Sequence, residues 1–316
     1  MNEFELIRAL TRGLPPHPAV VAGPGDDCAV LDLGVPGRVI LFKTDAVVEG
    51  VHFFRDAAPE KVGHKALGRV LSDLAAMAGT PVAALVTLAL PAGFNPAWPQ
   101  AVYAGLRALA DRTGTAVAGG ETTTSPAPHA WLSVAALGTA AADRRLGRGG
   151  SKPGDALFVT GELGGSILGR HLDFEPRLVE GRWLAEQFPV TAMMDVSDGL
   201  AGDLGHLLEA SRAGAELLRD AIPVSRAAKL RAREVAGAPP ALEAALRDGE
   251  DFELLFTVPA ARAVPLQDAW RRQFPGVRLS CIGRITEQPG LRLLSRDAIR
   301  ALSPHAYAHF AQPVGD

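Results

Sequence analysis

Cysteine is scarce. The 316-residue chain has two, Cys28 and Cys281, far apart and in no CxxC or Cys/His spacing. That pattern supports neither a disulfide framework nor a thiolate zinc site, and it fits a reducing compartment. Excess charge is also missing: 32 Lys and Arg stand against 35 Asp and Glu, for a net charge of −3. No bulk attraction to nucleic acid or to an anionic membrane follows, so an anionic substrate needs local cations or backbone amides. Long apolar runs are absent too. The longest, Val82 to Leu90, is broken by Thr87 and ends at Pro91, too short to span a bilayer. Met1 to Leu10 carries Glu3 and Glu5 and no signal-type apolar core. These absences together predict a cytoplasmic protein that binds neither membrane nor nucleic acid.

What is present is ordinary globular composition, 47% hydrophobic and 21% charged, at a length comfortable for two domains. Strand and helix patterns alternate. Helices are expected at Glu3 to Leu10, Lys61 to Met77, Trp98 to Thr113 and Gly199 to Arg212. Strands are expected at 29–33, 39–45, 83–90, 116–118, 130–139, 156–160, 192–196, 253–258 and 277–285, with a helix between the last two. The basic, glycine-rich stretch Asp143 to Asp155 reads as a connection between domains 1–142 and 143–316. The fold class is α/β or α+β in two parts.

Carboxylates are the informative feature, because they sit at strand ends and tight turns. The strings are Gly25-Asp26-Asp27, Thr44-Asp45 with Glu49 and His52, Ser72-Asp73, Gly119-Gly120-Glu121, Asp195-Val196-Ser197-Asp198-Gly199 and Gly249-Glu250-Asp251. Asp73 can be placed geometrically. At 100° per residue from Val62, the apolar positions of its helix fall at roughly 40° to 180°, and Asp73 at roughly 20°. It lies inside the edge of the buried stripe, where a carboxylate needs a cation or hydrogen-bond donors. Pairing with Lys65 or Arg69 is one answer and a bound metal another. Each other string also has a plain reading: Gly-Asp-Asp as a turn, Asp45 as a solvated strand end, His52 as a turn partner, Ser197 as a helix N-cap. The turn Gly161-Glu162-Leu163-Gly164-Gly165-Ser166 suits either a phosphate cradle or an ordinary strand-to-helix connection. Two like charges about 4 Å apart repel by about 4 kcal/mol at an effective dielectric of 20. Several acids meeting in one cleft would therefore need divalent ions, and oxygen ligands suit Mg²⁺ or Mn²⁺.

The chain resembles the thiamine-monophosphate kinase family, within the superfamily that includes aminoimidazole-ribonucleotide synthetase. The matching stretches are GPGDDCAVL from Gly23, KTDAVVEGVHF from Lys43, KALGRVLSDLAAMAG from Lys65, GGETTTSP from Gly119, RGGSKPGDALFVTGELGGS from Arg148, MMDVSDGLAGDLGHLLEAS from Met193 and DGEDFELLFTVP from Asp248. They keep the family's order and span nearly the whole chain. The resemblance implies an N-terminal sheet that pairs across a homodimer, a C-terminal α/β domain and ATP in the cleft between them. It implies several Mg²⁺ ions held by Asp27, Lys43 (through its backbone), Thr44, Asp45, Asp73, Glu121, Asp195 and Asp198, with Asp45, Asp73 and Asp195 central to catalysis. ATP contacts map onto Tyr103, Gly120, Arg148 and Ser197, and thiamine phosphate contacts onto His52, Glu250 and Tyr307. Three positions depart from the family's habit: Glu121 replaces Asp, Thr124 replaces Arg and Gly165 replaces Asp.

The implied reaction moves the γ-phosphoryl group of ATP directly to thiamine phosphate. The acceptor is a phosphate monoester whose second pKa is about 6, so it is mostly a dianion at neutral pH and needs no strong general base. Other enzymes of the superfamily, and a non-catalytic nucleotide or metal binder, are the alternatives.

Overall fold

The computed structural model describes residues 3–304. After a short helix, α1 (Glu3–Thr11), the N-terminal half builds one six-stranded sheet. Its strands are β1 (Val20–Ala22), β2 (Ala29–Leu31), β3 (Arg38–Val48), β4 (Thr80–Pro91), β5 (Ala116–Ser125) and β6 (Trp131–Ala141), in the order β1-β2-β3-β6-β4-β5. Only β4 and β5 run parallel. Helices α2 (Pro59–Ala76) and α3 (Ala97–Thr113) belong to this half.

The C-terminal half builds a seven-stranded sheet, in the order β13-β12-β9-β11-β7-β10-β8. The strands are β7 (Ala156–Thr160), β8 (Ala192–Val196), β9 (Gly214–Leu218), β10 (Glu253–Val258), β11 (Leu279–Thr286), β12 (Gly290–Leu294) and β13 (Ile299–Leu302). Helices α4 (Leu178–Gln187), α5 (Leu200–Ser211), α6 (Arg226–Glu234), α7 (Ala241–Arg247) and α8 (Ala263–Gln273) accompany it. Only β9 and β12 pair in parallel. Both sheets are thus mainly antiparallel, the α+β form of the expected class. Every residue of β7, β8 and β10 is buried, which matches their mainly apolar sequences, with Asp195 in β8 and Glu253 and Thr257 in β10 as the buried polar exceptions beside Thr160 in β7.

Helix α2 positions the site. Pro59 opens it and Glu60 favours its N-terminus, while Ala78 (φ 55°) and Gly79 end it. Its periodicity predicts one apolar stripe, yet it is buried on nearly every side from Val62 onward. The reason is tertiary: α3 covers one side and α4 with β8 another. Close approach needs glycine. A methyl group on Gly105 would lie 1.8 Å from the Glu60 carbonyl oxygen, and one on Gly181 would lie 2.2 Å from that of Ala75. Buried Lys65, Ser72 and Asp73 therefore face the seam between the halves instead of water. Among the described residues no helix is long and apolar enough to cross a membrane.

Strand β5 is longer than its composition predicts. Gly119 and Gly120 read as a turn, but they extend the strand at φ 147° and 157°. Gly120 is obligatory there, because a methyl group would meet the Val86 carbonyl oxygen at 1.8 Å.

Candidate active site

Three acids from distant parts of the sequence meet at the seam. Asp27 comes from the turn before β2, Asp73 from α2 and Asp195 from β8. One carboxylate oxygen from each lies within 4.8 Å of the others, and all three side chains are buried. Lys43 donates to Asp73 Oδ1 at 2.9 Å. Arg148 donates twice to Asp27 Oδ1, at 2.9 and 2.6 Å. Ser72 Oγ donates to Asp195 Oδ2 at 2.7 Å. Asp27 Oδ2 is buried with no partner. Three carboxylates thus face two cationic side chains, with one acceptor left over.

That imbalance is visible in proton affinity. Burial, and then the charge of Asp27, pushes Asp195 up to about 7 against the hydrogen bond from Ser72. Burial pushes Asp73 well above the usual carboxylate range; Lys43 opposes this, and Asp195, Asp45 and Asp27 add to it. Burial would also raise Asp45, but Arg69 and Lys43 outweigh it and hold Asp45 low.

A second cluster adjoins the first through Arg69. Its Nε and Nη2 donate to the Asp45 carboxylate at 3.2 Å, and its Nη1 donates to Glu250 Oε1 at 2.9 Å. Lys65, fully buried, donates to Glu250 Oε2 and to the His52 carbonyl oxygen, and lies 2.7 Å from His171 Nδ1. Burial would raise Glu250, yet His171, Lys65 and Arg69 together hold it at about 2. Burial lowers Lys65 to about 8 even beside Glu250. A cavity of about 200 Å³ opens against this cluster, lined by Val51, His52, Arg69, Ile167, Ser197, Asp198, Arg231, Asp248 and Glu250. Both halves of the chain contribute to it.

The structure thus brings together Asp27, Lys43, Asp45, Asp73, Arg148 and Asp195, and beside them His52, Ser197, Asp198 and Glu250. Other candidates lie apart. Thr44 follows the strand alternation to the outer face of the sheet, where its Oγ1 is 3.3 Å from Ser133 Oγ, so its side chain does not face the acids. Glu121 and Gly120 sit on the edge strand β5. In register, Ala46 pairs Ser133, Ser133 pairs Thr87 and Thr87 pairs Glu121. Three strand spacings put Glu121 about 14 Å from β3 within one chain. Tyr103 lies on α3, half-buried against the N-terminal core. Tyr307 lies outside the described residues.

One open local reading is settled and one expectation is corrected. The amides of Gly164 and Gly165 do not form an open phosphate cradle, because they donate to the carboxylates of Asp251 (3.0 and 2.9 Å) and Asp248 (2.9 Å). Ser197 does not cap α5. The cap position is Gly199, and Asp203 Oδ2 instead accepts from the amides of Ser197 and Asp198, each at 3.0 Å. Glu49 turns away from the acids, toward Arg55 (2.5 Å) and the Ala130 amide (2.9 Å). Asp26 keeps its turn role, accepting from the amides of Asp27 and Arg148.

Sequence reasoning treats Lys65 and Arg69 only as partners for Asp73, names Asp251 in its acidic string without a role, and passes over Arg231. Their signal is faint, since Lys and Arg on helices are usually solvated. Asp251 is fully buried, receives Gly164 N–H and Ser166 Oγ–H, and is pushed by burial up to about 7. A carboxyl whose folded pKa exceeds its unfolded 3.8 loses stability as pH rises between the two values, by at most about 1.4 kcal/mol per pH unit. Asp251→Asn should therefore gain on the parent between pH 4.5 and 7.5 in urea titrations. A constant gap would show that Asp251 is not the titrating group.

Comparison with known proteins follows the same division. The family model for AIR synthase related protein, N-terminal domain, matches residues 25–140, and the corresponding C-terminal domain matches residues 152–295. The thiamine-monophosphate kinase of Rhodopirellula baltica is 39% identical, over 96% of this chain and 95% of that one. The thiamine-monophosphate kinase of Salmonella typhimurium is 35% identical over 99% of both. A solved structure of AaThiL complexed with AMPPCP and TMP is 30% identical and superposes with a TM-score of 0.82, covering 98% of this chain and 97% of that one.

Proposed function

The chain belongs to the thiamine-monophosphate kinase family, and from that premise we propose that it transfers the γ-phosphoryl group of ATP to thiamine phosphate, giving thiamine diphosphate and ADP. The observation that carries this reading is the meeting of Asp27, Asp73 and Asp195 beside a cavity shared by both halves. The division falls near residue 142, between the two sheets.

The donor set fits Mg²⁺. All three groups are carboxylates, a hard oxygen set without thiolate or imidazole, and Asp27 Oδ2 is a buried acceptor without a donor. Asp27, Asp73 and Asp195 would hold the ion or ions, with Asp45 and Asp198 adjacent. Bound Mg²⁺ neutralises phosphate oxygens so that two polyanions can approach in line.

The chain's own groups supply the rest. Arg148 and Lys43 add positive potential around the acids. Glu250, kept ionised by Lys65, Arg69 and His171, presents a fixed negative charge to the cationic thiazolium ring. His52 and Ser197 line the cavity from opposite halves. No side chain is needed as a general base, because the acceptor arrives as a dianion. ADP release coupled to thiamine phosphate and Mg²⁺ tests the reading, and an inert preparation that binds ATP tightly would favour a non-catalytic binder. Recovery of a covalently labelled protein after incubation with γ-labelled ATP would refute direct transfer.

A homodimer completes the assignment. The outer face of the N-terminal sheet exposes Phe42, Val82, Leu85 and Leu137, an apolar patch that a second copy would cover. Pairing there offers a route for Gly120 and Glu121 of one copy to reach the acids of the other. Phe42→Lys should shift the protein to monomer in sedimentation and remove activity with it. A fully active monomer would confine the site to one chain.

A further inference from the structure

The acids at the seam fall into two sets, distinguished by what meets their oxygens. Asp27, Asp73 and Asp195 each turn an oxygen into a space under 4.8 Å across, and Asp27 Oδ2 has no partner. That set still calls for a cation. Asp45 is different, because one cation already holds both of its oxygens. Arg69 Nε donates to Asp45 Oδ2 and Arg69 Nη2 to Oδ1, each at 3.2 Å, and Oδ1 also accepts from the Ala46 amide at 2.9 Å. This two-point grip engages the whole carboxylate, as a chelating cation would.

The same guanidinium is held from the other half of the chain. Its Nη1 donates to Glu250 Oε1 at 2.9 Å, and it lies over the Phe252 ring, 5.8 Å from the centre. Phe252 is buried and stacks on Phe174 at 3.9 Å. Phe174 rests in turn on Gly68, where a methyl group would lie 2.9 Å from its ring. The backbone that delivers these contacts is unusual. Glu250 and Phe252 are both left-handed, at φ 57° and 51°, a conformation that a non-glycine residue keeps only where its surroundings impose it. Their amides are tied down, Glu250 to the Ser197 carbonyl oxygen at 2.6 Å and Phe252 to that of Val196 at 2.7 Å. Alternate residues of one loop thus present a carboxylate and an aromatic face to a single arginine. A planar, always-charged fork is the side chain suited to bridging two carboxylates in this way.

Resting on the reading of the seam as a Mg²⁺ site, we propose that Arg69 is a built-in cation that takes the place of a divalent ion between Asp45 and Glu250. Asp45, which the family resemblance implies as a metal ligand, is in this chain the partner of Arg69, and metal binding gathers on Asp27, Asp73 and Asp195. What Arg69 adds is permanence. A bound ion exchanges with solvent, whereas the guanidinium stays, so Asp45 of the N-terminal half and Glu250 of the C-terminal half remain joined when metal is absent.

The test counts ions. Mn²⁺ bound by the full chain is measured by electron paramagnetic resonance titration in the parent, Asp45→Asn, Arg69→Met and the double variant. Each protein is checked by circular dichroism and thermal melting. Asp45→Asn should bind the same number of ions as the parent, with weaker affinity from the unpaired arginine it leaves. Arg69→Met should bind an additional ion, because both oxygens of Asp45 are released and methionine offers no oxygen of its own. The double variant should lose that ion again. Loss of an ion from Asp45→Asn alone would mean that Asp45 already ligates metal beside Arg69, and would overturn the proposal. So would an Arg69→Met protein with no additional ion, or an additional ion that the double variant keeps. If one single variant fails to fold, the other comparison decides. If the parent binds no Mn²⁺, the assignment of metal to Asp27, Asp73 and Asp195 fails separately. The proposal then stands or falls on whether Arg69→Met gains an ion that depends on Asp45.

Discussion

Asp73→Asn is expected to lower turnover by about 10²- to 10³-fold, the scale seen when one preorganised electrostatic contact to a transition state is removed. The metal-free protein should be no less stable. Both halves of that expectation come from one geometry. The Asp73 carboxylate shares a space under 4.8 Å across with Asp27 and Asp195, where its charge is repelled. Its loss relieves that repulsion. Lys43, its ion-pair partner at 2.9 Å, keeps the fields of Asp45 and Asp27. The amide is a weaker ligand for a divalent ion, so metal-dependent chemistry bears the whole cost. The measurements are kcat over a Mg²⁺ series and the thermal midpoint in chelator. Near-parental turnover at low Mg²⁺ would remove Asp73 from the metal set. A large fall in the midpoint with turnover intact would make it a structural residue.

The site is readable from sequence only where chemistry follows local periodicity. Helical spacing places Asp73 at the edge of a buried stripe, and the structure buries it there. Spacing does not give the partner. Arg69 and Lys65 lie one and two turns away on α2, but both reach Glu250, and Lys43 from β3 takes Asp73. Strand alternation explains why neighbours separate: Thr44 and Asp45 are consecutive, so one faces outward and the other the seam. Register across strands is a tertiary property, and it alone carries Glu121 away from Asp45. The glycines of β5 mislead for a related reason, since backbone freedom permits a turn and an extended close approach equally. Buried cations such as Arg231 are invisible to pattern, because their burial is decided by what folds over them.

Glu250→Gln should show the largest combined loss, in stability and in acceptor binding. Glu250 is the counter-ion of Lys65, which is fully buried, and of Arg69. Removing one member of a buried pair typically costs about 3–5 kcal/mol, because the remaining charge is stranded. Glutamine matches the size and keeps an acceptor, so packing is spared and charge is isolated. The pH dependence identifies the cause. In the parent, Glu250 falls from 4.5 unfolded to about 2 folded, so its contribution is complete above 4.5 and lost as pH drops toward 2. Lys65 titrates near 8 in the fold against 10.5 unfolded, and without Glu250 it must shed its proton at still lower pH. The variant therefore escapes its stranded charge before the parent does. The stability gap should be widest near pH 6 and narrow both toward pH 3 and toward pH 8.5 in denaturant titrations. A gap that is flat across that range would assign the loss to packing. Acceptor binding should not recover at pH 8.5 along with stability, because the thiazolium ring still lacks its fixed negative partner. Recovery of KM for thiamine phosphate together with stability would place Glu250 in the scaffold and out of contact with the substrate.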